Sequence, residues 1–129
     1  MLIPAIHFPG TCADAIALYK EVFGAQVVAI AYNKDASMGA MDGNPDHIMH
    51  AELVIADTRM NMCDVAGAVA SGNMHLFNVF FDTADEVIKA HNHLSVDGRV
   101  ITALGPQFWT VMYGDVEDKF GVHWQLMAK

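Results

Sequence analysis

Seven histidines, two cysteines and fifteen acidic side chains are the chain's stock for catalysis or metal binding, and spacing alone sorts many of them. His91 and His93 lie two apart in a helical stretch, so their side chains diverge by about 200° and cannot share one ion. His47 and His50 lie three apart, which on a strand puts them on opposite faces. His123 and Gln125 do share a strand face and remain candidates together. No Ser-His-Asp or Cys-His spacing stands above chance, and Cys63, inside an apolar strand, reads as a buried thiol. No Gly-rich loop joins a strand to a helix in the way nucleotide phosphates require.

The elements that must position these side chains have to fit in 129 residues, enough for one compact domain. A formal charge of −8 weighs against nucleic acid and anionic membrane as partners. Charged or turn-forming residues interrupt every apolar stretch well short of the ~18 residues a membrane span needs. Residues 1–10 carry no basic segment ahead of an apolar one, so no signal peptide is expected. Cys12 and Cys63 form neither a CxxC pair nor a dense disulfide framework, which fits a reducing compartment. A soluble, cytoplasmic, single-domain protein is the expectation.

Residues 2–8 read as a strand closed by Pro9-Gly10. Thr11, with Asp14 three residues on, reads as an acidic variant of the capping box. The stripe Ala15, Ile16, Tyr19, Val22 and Phe23 then forms a helix ended by Gly24. Residues 27–32 read as a buried strand and 33–46 as a mobile loop near the site. Residues 48–55 and 59–63 form a hairpin around Ala56-Asp57-Thr58, and 65–73, small and Gly/Ala-rich, form a linker. The order then returns: a strand over 74–81, a Thr83/Glu86 capping box, a helix on Val87, Ala90 and Leu94, and strands over 99–103, 110–116 and 122–127. Ala13-Asp14 and Ala84-Asp85 hold the same place in their helices, and Met60-Asn61-Met62 matches Trp124-Gln125-Leu126. The chain therefore reads as α+β: a single domain, 1–129, of two tandem βαβββ modules, 1–64 and 74–129. One half cannot cover its sheet with a single helix, whereas two halves can curve around a shared cavity.

This pattern resembles the vicinal oxygen chelate superfamily, which includes glyoxalase I, fosfomycin and bleomycin resistance proteins and extradiol dioxygenases. More narrowly it resembles the PhnB-like branch. The supporting strings are Phe8-Pro9-Gly10-Thr11-Cys12, Ile48-Met49-His50-Ala51-Glu52-Leu53, Met62-Cys63-Asp64 and Phe108-Trp109. The most specific is Gly114-Asp115-Val116-Glu117-Asp118-Lys119-Phe120-Gly121-Val122-His123-Trp124. The resemblance implies a glyoxalase-like, cup-shaped mixed sheet, commonly in a homodimer. It does not choose among hydrolase, lyase, isomerase, dioxygenase or drug-sequestering roles.

The resemblance also implies where a site would lie. Metal enzymes of the superfamily take His or Gln from the first strand of a module and Glu from the last; the metal then acts as a Lewis acid. Carried over, this offers His75 on the first strand of module two, Gln125 on the last, and His7 on the first strand of module one, about one pleat further along. Gln125 stands where catalytic relatives carry Glu, and its counterpart Asn61 is again an amide. Amide oxygens are weaker donors to hard ions than carboxylates. One divalent ion (zinc, nickel, iron or manganese) held by His7, His75 and Gln125 is the metal-bound alternative. Without it, His75 is a half-exposed strand histidine and Gln125 a hydrogen-bonded cavity lining.

His50 is the family-typical histidine, a general base in an enzyme or a tie between strands otherwise. Trp109 and Phe108 read as an aromatic wall over a ligand or as core. Asp64 reads as closing the turn before the linker. A methyltransferase role, a label some relatives carry, needs a nucleoside-binding fold that this chain is too short to build. A phosphonate ligand finds only Arg59 and Arg99, both in turn or surface contexts. The expectation is a PhnB-like small-molecule-binding protein, its ligand lined by Asn61, His75, Trp109 and Gln125 with His50 as the catalytic candidate. The alternative is a metal-dependent lyase, isomerase or dioxygenase acting on adjacent oxygens.

Overall fold

In the computed structural model, residues 1–36 and 43–129 are described. Two compact units follow in sequence, Met1–Ala70 and Ser71–Lys129. The first contains β1 (Ala5–Phe8), α1 (Cys12–Phe23), β2 (Gln26–Tyr32), β3 (Ile48–Ile55) and β4 (Thr58–Asp64) in a sheet ordered β1-β4-β3-β2. The second contains β5 (Phe77–Phe81), α2 (Ala84–Leu94), β6 (Arg99–Gln107), β7 (Thr110–Glu117) and β8 (His123–Ala128), ordered β5-β8-β7-β6. In each sheet the first strand runs parallel to the last, and the other pairs are antiparallel. This is the α+β, tandem βαβββ arrangement expected from the sequence.

Each sheet buries the face its helix covers. In the first unit Phe8, Ala51, Leu53, Ile55, Met60 and Met62 are buried with Cys12, Ala15, Ile16 and Tyr19 of α1. In the second, Val79, Val116, Trp124, Leu126 and Ala128 are buried with Val87, Ala90 and Leu94 of α2. Strand side chains alternate in direction, so the intervening residues lie on the opposite face, open in the sense that no helix of the unit covers it, although Cys63, Tyr113, Asp115 and Met127 on it are buried. Every candidate site residue that lies on a strand is on an open face.

The helix starts differ. α2 has the reciprocal box: Thr83 Oγ1 accepts from the Glu86 N–H at 3.2 Å, and Glu86 Oε2 accepts from the Thr83 N–H at 3.3 Å. In α1 the Thr11 side chain makes no capping bond. Asp64, from the end of β4, caps it instead. Its Oδ1 accepts from the Cys12 N–H and its Oδ2 from the Ile48 N–H, both at 2.9 Å. Asp64 therefore clamps a helix start to a strand start and does more than close a turn. Counted from their caps, Ala13-Asp14 and Ala84-Asp85 are one residue out of step.

The strand bounds also move. β5 starts at Phe77, three residues later than expected, because its parallel partner runs out: Phe77 lies opposite Trp124, and ahead of Trp124 the chain folds into the Asp118–Val122 turn. β1 starts at Ala5, just after Pro4, whose carbonyl accepts from the Asn61 N–H at 2.9 Å. β6 extends to Gln107 through irregular pairing with β7. Part of the loop expected over 33–46 is ordered: Asn33–Asp35 form a 3-10 turn tied to Asn44, Pro45 and His47. Residues 37–42 lie outside the described residues.

The most family-specific string is structural in detail. The buried Asp118 carboxylate accepts from the N–H groups of Phe120 and Val122 and, at 2.9 Å, from Trp124 Nε1. Gly121 sits in that turn at φ +89, a conformation that disfavours any side chain. Gly114 is forced by packing, since a Cβ there would fall 2.6 Å from the ring of His91. His91 itself is a core residue beside the Thr102 carbonyl, 3.3 Å away.

Candidate functional site

The open face of the first sheet carries two adjacent rungs. One runs Ala5, Asn61, Glu52, Ala29 across β1, β4, β3 and β2. The next sets His7 opposite Cys63, with His50 following on the other side of Cys63 by continuation of the β3–β4 register. Ala5 ends at its Cβ and leaves open space beside the Asn61 amide. A pocket of about 160 Å³ results, lined by Ala5, Ile6, His7, His50, Asn61, Met62 and Cys63.

Two features of this pocket bear on chemistry. Asn61 Oδ1 is buried and accepts no hydrogen bond, a state that is unfavourable without a compensating donor. On the rim, His50 Nε2 lies 3.3 Å from Glu52 Oε1, and Arg59 donates to the same carboxylate oxygen. Glu52 thereby fixes the imidazole's orientation. Cys63 is a protonated thiol, because burial first and the Asp64 carboxylate second raise its pKa above the ordinary value.

On the second sheet the corresponding rung runs Asn78, Gln125, Asp115, Thr102. Tyr113 donates from its hydroxyl to Asp115 Oδ2 at 2.7 Å, and the Gln125 side chain bonds to the same phenol. Burial, reinforced by Asp115, pushes the Tyr113 phenol up to about 12. His123 Nε2 lies 3.5 Å from Asp115 Oδ1, and neither that oxygen nor either ring nitrogen has a hydrogen-bond partner. Trp109, half exposed at the β6–β7 turn, places its ring 5.6 Å from that of Tyr113, with Phe108 packed edge-on 4.8 Å away.

The structure thus groups His7, His50 and Asn61 in one pocket and Gln125 in a polar cluster on the other sheet. Trp109 flanks that cluster as a half-exposed wall and is not core. His75 is exposed ahead of β5, and the residue beside Gln125 is Asn78. Spacing missed Ala5 as the residue that opens the pocket, and Asp115 and Tyr113 as neighbours of Gln125. The alternation of 113, 115 and 117 against 123, 125 and 127 carried that signal.

Among the described residues no group of three or more His, Cys, Asp or Glu side chains is placed to hold a metal ion. Asn61 and Gln125 add only neutral amides. These donors do not fit a resident divalent ion.

The family model described as the Glyoxalase/Bleomycin resistance protein/Dioxygenase superfamily matches residues 6–126. Protein YjdN of Escherichia coli (strain K12) is 31% identical over 97% of this chain and 92% of its own length. Protein PA1353 from Pseudomonas aeruginosa is similar in structure, with a TM-score of 0.88 and 27% identity over 100% of this chain and 97% of its own. The PhnB protein from Bacillus cereus aligns with a TM-score of 0.85 over 99% of this chain and 98% of its own, and its 21% identity speaks for the fold alone.

Proposed function

The chain belongs to the Glyoxalase/Bleomycin resistance protein/Dioxygenase superfamily, and from that premise we propose that it is a PhnB-like small-molecule-binding protein whose ligand occupies the pocket on the first sheet. The observation that carries this reading is the pocket of about 160 Å³ on the sheet face that no helix covers, where His7, His50, Asn61 and Cys63 converge around Ala5. Gln125 and Trp109 line the second sheet's open face in the same reading, and His75 stands at its margin. The protein acts in the cytoplasm, where its two free cysteines stay reduced, and it pairs with a second copy as superfamily members commonly do.

A second reading, turnover of the ligand, is favoured by one contact. Glu52 holds the His50 ring on the pocket rim, the arrangement of a base oriented by a carboxylate. His50 would then take a proton from the bound ligand.

Saturation-transfer NMR with benzene-sized fragments tests the primary reading, comparing the natural chain with Ala5→Leu, which fills the space beside Asn61. Fragments that bind the natural chain and are lost in Ala5→Leu support it. Equal binding to both, or none to either, removes the pocket as the site.

A further inference from the structure

We propose that the open face of the second sheet is the contact surface for a second copy of this chain, with the Phe108–Trp109 tip of each copy seated on the Phe80–Met127 rung of the other. The inference rests on the pairing stated above and names the surface that makes it. Strand register builds the face. Phe80 lies opposite Met127 and Met127 opposite Tyr113, and Val111 shares their side of the sheet by alternation. The Trp109 ring lies 5.6 Å from that of Tyr113, and Phe108 packs edge-on against Trp109 at 4.8 Å. Phe108 is 97% exposed, Val111 68%, Phe80 53% and Trp109 52%. Large apolar side chains exposed together on one face mark an interaction site, and the centres of protein interfaces are rich in aromatic rings and poor in charge.

Shape and charge together select the occupant. The β6–β7 turn is a protrusion, with Phe108 leaving almost its whole ring in water, whereas small molecules are held by concave walls. The protrusion and the sheet surface that receives it lie on one face of one unit. A two-fold axis therefore seats both tips at once. Each copy carries a formal charge of −8, so two copies repel wherever unmatched carboxylates meet. On this face the charges are matched within the copy. Lys129 bonds at 3.0 Å to Asp82, two residues beyond Phe80, and Arg99 bonds at 2.7 Å to Glu117 at the other end. Asp115 between them is buried. A second copy can meet this face without setting free carboxylates against each other. The first unit's exposed Val28 and Ile30 are a poorer surface, because they lie on the edge strand β2, whose register is bulged at Val28, and bulges discourage strand addition.

The test is sedimentation velocity of the natural chain and three variants across micromolar concentrations. The natural chain is expected to be a dimer. Phe108→Ser and Val111→Ser, both at exposed positions, are each expected to weaken it about thirtyfold or more, the loss of one dominant interface side chain. Val28→Ser on β2 is expected to leave it unchanged. In mixed labelled and unlabelled natural chains, isotope-filtered NMR is expected to show contacts from the Phe108 ring of one copy to the Met127 methyl of the other. A dimer that keeps its affinity in both tip variants, that lacks the filtered contact, or that Val28→Ser weakens as much as Phe108→Ser, overturns this surface while the pairing stands. A natural chain that stays monomeric overturns the surface and the pairing together. None of these results touches the first-sheet pocket, which the fragment comparison tests separately. Should a variant fail to fold, the filtered contacts in the natural chain decide.

Discussion

Asn61 and Gln125 occupy the same register position in their two sheets. Each lies on the strand that pairs with the unit's first strand, and each faces a carboxylate across the antiparallel ladder, Glu52 for Asn61 and Asp115 for Gln125. A cationic or imidazole side chain two residues earlier, Arg59 or His123, reaches toward that carboxylate in both sheets. The surroundings then diverge. Ala5 beside Asn61 leaves a pocket, whereas Asn78 beside Gln125 and the bond to Tyr113 close the second rung into a polar cluster.

The clamp formed by Asp64 gives the first prediction. Asp64→Ala strips the acceptor from two backbone N–H groups, Cys12 and Ile48, at a site where the carboxylate is almost fully buried. At ~1–3 kcal/mol for each orphaned donor, the variant is expected to lose about 2–4 kcal/mol in urea unfolding. A loss below about 0.5 kcal/mol, the range of ordinary surface substitutions, would contradict the clamp.

Tyr113 sets an alkaline limit. The folded phenol keeps its proton up to about 12, while an unfolded tyrosine releases it near ~10. Its contribution is therefore fully present below pH ~10 and is lost as pH rises through the folded value. Unfolding curves collected from pH 9 upward should show stability falling above pH ~10, with a shallower fall in Tyr113→Phe. Identical slopes in the two proteins would refute the assignment.

The Cys63 thiol faces the pocket yet is held protonated, and burial raises Cys12 as well. Since the thiolate is the reactive form, alkylation by iodoacetamide at pH 8 should be at least tenfold slower in the folded protein than in urea. Rapid labelling of Cys63 in the folded state would show a thiolate that this environment does not support.

Metal content separates the two functional readings by donor chemistry. Protein purified without a histidine tag is expected to carry well under one transition ion per chain, and its melting temperature should not move in chelator. One ion per chain together with a chelator-induced drop would restore the metal-dependent alternative.

Local signals were legible in the sequence wherever the interacting residues are close along the chain. The Thr83/Glu86 box and the alternation that sends Asn61 and Gln125 to open faces are of this kind. Asp64 was not, because its partner Cys12 lies 52 residues away and nothing local distinguishes a long-range cap from a turn residue. The start of β5 was hidden for the same reason: His75 leaves the strand because β8 ends its pairing there, a property of the partner. The pocket depends on Ala5, and an alanine has no chemical signature until its neighbour is known.

The most direct measurement is a crystal structure of the protein soaked with phenol. The account predicts density for the ring in the pocket lined by Ala5, His7, His50, Asn61 and Cys63. Density only elsewhere, such as beside Trp109, or an empty first-sheet pocket at saturating phenol, would contradict it.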